Sequence, residues 1–142
     1  MIPKFRAWIS EADTMVNNPK GVDFESETVV LKKIYWDDGF PMEEEVFEVE
    51  IGNAILMQST GICDKRGVKI FEKDIVKFSI DNGFEYICDE IGFVYYCLGA
   101  YRILNGLDET LINTNAYLIS DIDKIEVLGN IYENPELMEG DE

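Results

Sequence analysis

Closely spaced turn signals constrain this chain more than any other feature. Asp37-Asp38-Gly39, Asp64-Lys65-Arg66-Gly67 and Asp81-Asn82-Gly83 break it into short pieces, helped by the single glycines Gly92, Gly99 and Gly129. The pieces between them are rich in Val, Ile, Phe and Tyr, which suit a pleated, half-buried surface. Short strands separated by turns point to a mainly β chain, α+β at most. The expected core is a small, strongly bent antiparallel sheet or barrel over about residues 54–132. N-terminal strands from about residues 1–53 pack on it, and an acidic tail, 133–142, carries a short helical stub. At 142 residues the chain has the usual size of one domain.

Individual stretches give more detail. "KFRAW", Lys4 to Trp8, alternates apolar bulk with charge and reads as a short strand with one wet face. "NNPKG", Asn17 to Gly21, is a turn cluster. "TVVLKKIYW", Thr28 to Trp36, is β-branched and reads as a strand. "EEEVFEVEIG" also reads as a strand, because Val and Ile dominate it. Asp37, Asp38, Glu43, Glu44, Glu45, Glu48 and Glu50 fall in a stretch with no basic residue, the pattern of a solvated acidic face.

The strand after Asp74 pairs with the next across "DNG". A two-residue Asn-Gly loop would set Ile80 opposite Glu85. A three-residue loop, Asp81-Asn82-Gly83, sets Ile80 opposite Phe84, Phe78 opposite Tyr86 and Val76 opposite Cys88. Matching of apolar faces favours the second register. Phe93 to Leu98 is an uninterrupted apolar run, either a strand buried on both faces or one that meets a neighbour. Asp108 suits the cap of a short helix, although the apolar spacing there does not hold a helical period. Asn134-Pro135 opens a final helical stub, since Pro is welcome at a first helical position.

Glu72 and Asp74, in "RGVKIFEKDIVKF", invite a catalytic reading. Two carboxylates flanked by lysines, with no histidine to share a proton, argue instead for a solvent-exposed bend that starts the next strand. The chain has no histidine at all, so Ser-His and Cys-His nucleophile pairs are excluded within it. Cys63, Cys88 and Cys97 are odd in number and lack zinc spacing. Each sits in an apolar run, the setting of a small buried hydrophobe. No phosphate loop or calcium loop is present in the sequence. These observations predict no catalytic residue, no cofactor and no metal ligand. The net charge of −17 disfavours direct nucleic-acid binding, although five of the twelve basic residues, Lys65, Arg66, Lys69, Lys73 and Lys77, fall close together. Tyr86, Phe93, Tyr95, Tyr96 and Tyr101 read as core rather than as a base-stacking platform, because only Arg102 is near them. No signal peptide or membrane span is visible, so the expected compartment is the cytoplasm and no membrane partner is expected.

Three stretches together resemble the YopX family of small phage and prophage proteins: "KFRAW" at Lys4 to Trp8, "LMQSTGICDKRGVKIFEKDIV" at Leu56 to Val76, and "IEVLGNIYENPEL" at Ile125 to Leu137. Their order and placement match that family along essentially the whole chain. The resemblance implies a phage- or prophage-encoded cytoplasmic protein of a Gram-positive bacterium that forms homo-oligomers. Its remaining partners would be host or phage proteins. It supplies no catalytic residues. The motif residues Trp8, Gly61, Asp64, Gly67, Asp74, Gly129, Asn130, Asn134 and Pro135 have structural readings: glycines at turns or bulges, Asp64 and Asn134 capping turns, Trp8 packed on the body. Lys73 stands where the family usually has glycine, and Ser59 where it usually has an aromatic residue.

Three activities are consistent with this sequence. The first is a non-enzymatic module that binds a protein or assembles with itself. The second is an acidic decoy imitating DNA, which needs its carboxylates in phosphate-like rows. The third is a metal-dependent hydrolase using carboxylates alone, against which the lack of histidine counts. The expected contact for self-assembly is "GFVYYCLGAY", Gly92 to Tyr101, or the "KFRAW" strand.

Overall fold

The computed structural model describes residues 4–17, 19–97, 99–105 and 116–139. The fold is mainly β, built from antiparallel sheets, one of them strongly curled, with one very short helix. The chain divides into two compact units, Met1–Gln58 and Ser59–Glu142.

In the first unit, β1 (Phe5–Ile9) lies between β2 (Thr14–Val16) and the first part of β6 (Ala54–Cys63), antiparallel to both. Ala7 and Ile9 pack with Val29, Leu31 and Ala54. The other face is also covered, because Arg6 and Trp8 are only 7 % and 8 % exposed. The wet face expected for "KFRAW" is therefore absent. Arg6 is buried down to its Nε, so alternating charge does not guarantee a solvated face.

A second sheet of this unit runs β3-β4-β5, with β3 at Gly21–Asp23, β4 at Thr28–Asp37 and β5 at Phe40–Glu50. Asp38 and Gly39 connect β4 to β5, with φ of 49° and 82°. Two successive positive φ values make the two-residue loop whose twist matches paired strands, and Asp-Gly is a preferred pair for it. Val29 and Leu31 bury one face at the base of this hairpin, whereas β5 is exposed along nearly its whole length.

In the second unit the end of β6 pairs with β7 (Lys69–Phe71) through an irregular stretch that holds Gly61 at φ 84°. A five-stranded antiparallel sheet follows, in the order β11-β10-β9-β8-β12. Its strands are β8 (Asp74–Asp81), β9 (Tyr86–Cys97), β10 (Ala100–Leu104), β11 (Ala116–Leu118) and β12 (Lys124–Asn130). Ile70, Val76, Phe78, Ile80, Val94 and Ile103 form one core cluster. Ile75, Phe93 and Leu104 form another, against which Ile131, Leu137 and Met138 pack. Consecutive buried residues such as Ile75 and Val76 show that the start of β8 is covered on both faces.

The β8–β9 register differs from the expectation. Asp81 pairs with Tyr86 and Ile80 with Ile87, so the loop holds four residues, Asn82 to Glu85. Asn82 decides this locally: its side-chain oxygen accepts the N–H of Phe84 at 2.9 Å and of Glu85 at 2.7 Å. An Asx turn of this kind satisfies the loop backbone without a tight glycine hairpin. A bulge near Asp89, with φ of 49°, then shifts the pairing so that Ile75 meets Phe93. Phe84, expected opposite Ile80, is 99 % exposed.

Other expectations change too. Cys63 and Cys88 are exposed and Cys97 is half-buried, so none of the three is the small buried hydrophobe expected. Tyr86 and Tyr96 are also largely exposed, while Phe93 is core. Gly92 is neither a bulge nor a bend: a Cβ there would lie 2.6 Å from both the Leu104 carbonyl oxygen and the Ile103 side chain. Close approach of backbones requires the glycine. The helix start at Asp108 falls outside the described residues. β9 lies between β8 and β10, and β1 between β2 and β6, although β8 pairs with β9 only up to Phe93 and β2 with β1 only from Ala7.

Candidate functional site

Most of the motif residues of the second unit converge on backbone around β12. Asp64 is buried, and its side chain has four hydrogen bonds. Oδ1 accepts the N–H of Arg66 at 2.9 Å and of Val68 at 2.9 Å. Oδ2 accepts the N–H of Val127 at 3.1 Å and the Arg66 Nη2 at 3.3 Å. Gly67, with φ of 81°, closes the turn by donating its N–H to the Asp64 carbonyl at 2.9 Å. Burial pushes the Asp64 carboxyl pKa up. The bonds from Val127, Val68 and Arg66 together outweigh it and leave the pKa below its ordinary value. Arg66 completes the clamp by donating to the Val127 carbonyl at 2.6 Å. Asp64 is thus more than a turn cap: it fastens the β6–β7 turn to β12.

A second knot lies at the end of β12. The Asn130 side-chain oxygen accepts the N–H of Tyr132 at 3.0 Å and of Glu133 at 2.8 Å. Asn134 returns its side-chain oxygen to the Asn130 N–H at 3.3 Å. A Cβ at Gly129 would collide with the Asn134 amide group, whose Cγ would lie 2.7 Å away. Pro135 leads into the four-residue helix α1 (Glu136–Glu139), and its carbonyl accepts the Met138 N–H at 3.1 Å. Asp74, which pairs with Asn130, is 2 % exposed and accepts the Phe71 N–H at 2.8 Å. The bend expected to be solvent-exposed therefore buries one of its two carboxylates. Lys73 in that bend has φ of 70° and holds its ammonium 4.2 Å from the centroid of the Tyr95 ring. The position does adopt the left-handed backbone that glycine would favour. Trp8 lies in the first unit, buried on β1.

These groups are committed to the fold rather than to chemistry. Among the described residues no cluster of three or more Cys, Asp or Glu side chains could hold a metal ion. The basic strip is partly used up as well: Arg66 bonds to Asp64, and Lys77 lies 3.6 Å from Glu126. Two open grooves, of about 320 and 330 Å³, flank the sheet of the second unit. In the first, Arg102 spends its Nε on the Cys97 carbonyl at 3.2 Å. The second is lined chiefly by Ile62, Ile119, Ile122 and Ile125.

Among the described residues, the tip of the β4–β5 hairpin in the first unit gathers several exposed large apolar side chains. Trp36 is 63 % exposed, Phe40 70 % and Met42 64 %. Trp36 pairs with Pro41 on one face and Phe40 lies on the other, so the tip is apolar on both sides, with Met42 at the register shift beside them. Behind it Glu43 and Glu45 point to one face and Glu44 to the other, where Lys32 reaches Glu44 at 3.3 Å. Reading the sequence for its acidic run missed this. The available signal was the placement of Trp36, Phe40 and Met42 on both sides of an Asp-Gly loop.

Comparison with known proteins places the chain. The family model described as YopX protein matches residues 4–139. The crystal structure of protein EF1440 from Enterococcus faecalis is similar over 97 % of this chain and 99 % of that one, with a TM-score of 0.60 and 28 % sequence identity. No curated protein matches. With its three motifs folded into the β1 strand and the two knots around β12, and the family model spanning residues 4–139, the chain belongs to the YopX family.

Proposed function

We propose that this protein is a phage- or prophage-encoded accessory protein of the bacterial cytoplasm that binds another protein and catalyses no reaction. One observation carries the reading: an exposed two-stranded hairpin presents Trp36, Phe40 and Met42 to solvent at a tip fixed by the Asp38-Gly39 loop. Large side chains held on a preformed element make good anchors, because little freedom remains to be lost on binding. The acid-rich strand fits the DNA-decoy alternative less well. Its carboxylates divide between two faces, and Val46 interrupts the row of Glu44, Glu48 and Glu50. The hydrolase alternative draws no support from Asp64 and Asp74, which are engaged with backbone N–H groups.

The test is capture from a bacterial host lysate, comparing the natural chain with the Trp36→Ala, Phe40→Ala, Met42→Ala variant after circular dichroism shows both folded. Loss of a discrete captured protein in the variant supports the reading. Equal capture by both chains overturns it.

A further inference from the structure

The hairpin carries a more specific message than apolar exposure alone. Its end is an apolar plug with Trp36 and Pro41 on one face, Phe40 on the other and Met42 at the register shift between plug and collar. Immediately behind the plug, acidic side chains occupy both faces: Glu43 and Glu45 on one, Glu44 on the other. Successive residues on one face of a strand stand about 7 Å apart, so this collar begins one step from the plug. Asp37 and Asp38 add carboxylates at the turn itself. From Asp37 to Glu50 the stretch itself holds seven carboxylates and no basic residue, against which β4 sets Lys32, 3.3 Å from Glu44, and Lys33, in register with Glu45.

Resting on the protein-binding reading above, we propose that the hairpin tip inserts end-on into an apolar recess of a partner protein whose rim carries lysine and arginine. The plug on both faces fits a recess better than a flat surface, which would cover one face and leave the other wet. The collar sets the sign of the rim. Carboxylates drawn into a contact must be paired or left solvated, and facing cations pair them. The same argument decides between a basic partner and a second copy. Each copy carries −17, so a copy approaching the collar meets like charge within the screening length of about 8 Å in physiological salt. β5 is the outer strand of its sheet, and its glutamates oppose edge-to-edge pairing with an identical acidic strand.

The test uses two synthetic helical-hairpin peptides as probes, each with a leucine-lined groove between its helices, one rimmed with lysine and the other with glutamate, titrated calorimetrically into the full chain. Two variants remove the same number of charges: Glu43→Gln, Glu44→Gln, Glu45→Gln, Glu48→Gln in the hairpin, and Glu85→Gln, Glu90→Gln, Asp121→Asn, Glu136→Gln elsewhere. The natural chain should bind the lysine peptide and not the glutamate peptide. The hairpin charge variant should lose at least about tenfold in affinity, and the matched variant less than about threefold. The tip variant Trp36→Ala, Phe40→Ala, Met42→Ala should also lose about tenfold. Equal losses in the two charge variants, equal binding of both peptides, or no binding of the lysine peptide would overturn the basic rim while leaving lysate capture by the tip as a separate result. Unchanged lysine-peptide binding by the tip variant overturns insertion of the plug. A light-scattering mass above one chain that the tip variant abolishes assigns the recess to a second copy and overturns the proposal.

Discussion

Asp64 and Val127, 63 positions apart in the chain, are joined by a hydrogen bond of 3.1 Å from the Val127 N–H to the Asp64 carboxylate. The same carboxylate shapes the β6–β7 turn through Arg66 and Val68, so one buried side chain ties a local turn to a distant strand. Asp64→Ala leaves three backbone donors without this acceptor. It should destabilise the second unit by about 2–4 kcal/mol, the range for stranded buried polar groups. Urea unfolding measures this, and a loss under about 0.5 kcal/mol, as at an ordinary surface site, would show the clamp to be dispensable.

The pH dependence follows from the direction of the Asp64 shift. Hydrogen bonds hold its folded pKa below the ordinary value of 3.8, so its contribution is present above that value and lost as pH falls through the lower folded one. The stability gap between the natural chain and Asp64→Asn should therefore be widest near about pH 6 and narrow below about pH 4. Urea midpoints across that range read it directly. A gap that widens on acidification contradicts the assignment.

The bend between β7 and β8 makes a backbone prediction. Lys73 sits at φ 70° with its ammonium on the Tyr95 ring. Lys73→Gly relieves left-handed strain but loses the cation–π contact and loosens the unfolded chain, so the net change should stay within about 1 kcal/mol. Lys73→Val puts a β-branched residue into that conformation and should cost about 2 kcal/mol. Equal melting temperatures for the Gly and Val variants would mean that φ is not constrained there.

Gly129→Ala tests the second knot. A Cβ at this position drives into the Asn134 side chain that caps the Asn130 N–H. Displacing that amide should cost about 1–3 kcal/mol, and Gly129→Ala combined with Asn134→Ala should recover part of it. Strict additivity of the two substitutions would separate the residues.

How legible this molecule is in its sequence depends on the range of the interaction involved. The β4–β5 hairpin and the Asp64 turn are written in neighbouring residues, Asp38-Gly39 and Asp64 to Gly67, and local backbone geometry suffices to read them. The β8–β9 register is not, because the Asn82 side chain and a bulge at Asp89 override the matching of apolar faces. The partner of Asp64 on β12 is invisible for a different reason: nothing near Val127 in the chain marks its N–H as the one that Asp64 will meet. The burial of Arg6 and the exposure of Cys63 and Cys88 likewise depend on what covers each face, which composition does not encode. The hairpin tip was present in the letters but hidden by its acidic neighbours, which draw attention to charge rather than to Trp36, Phe40 and Met42.

The central claim is that the hairpin tip is the protein-binding element, and site-specific photo-crosslinking tests it most directly. A photoreactive phenylalanine analogue replaces Phe40 in one sample and Phe84 in another; both are highly exposed, at 70 % and 99 %, so neither replacement disturbs the core. Irradiated in host lysate, the Phe40 sample should give a discrete adduct with one protein, and the Phe84 sample should give none. Adducts of equal yield from both positions, or from Phe84 alone, would contradict the account.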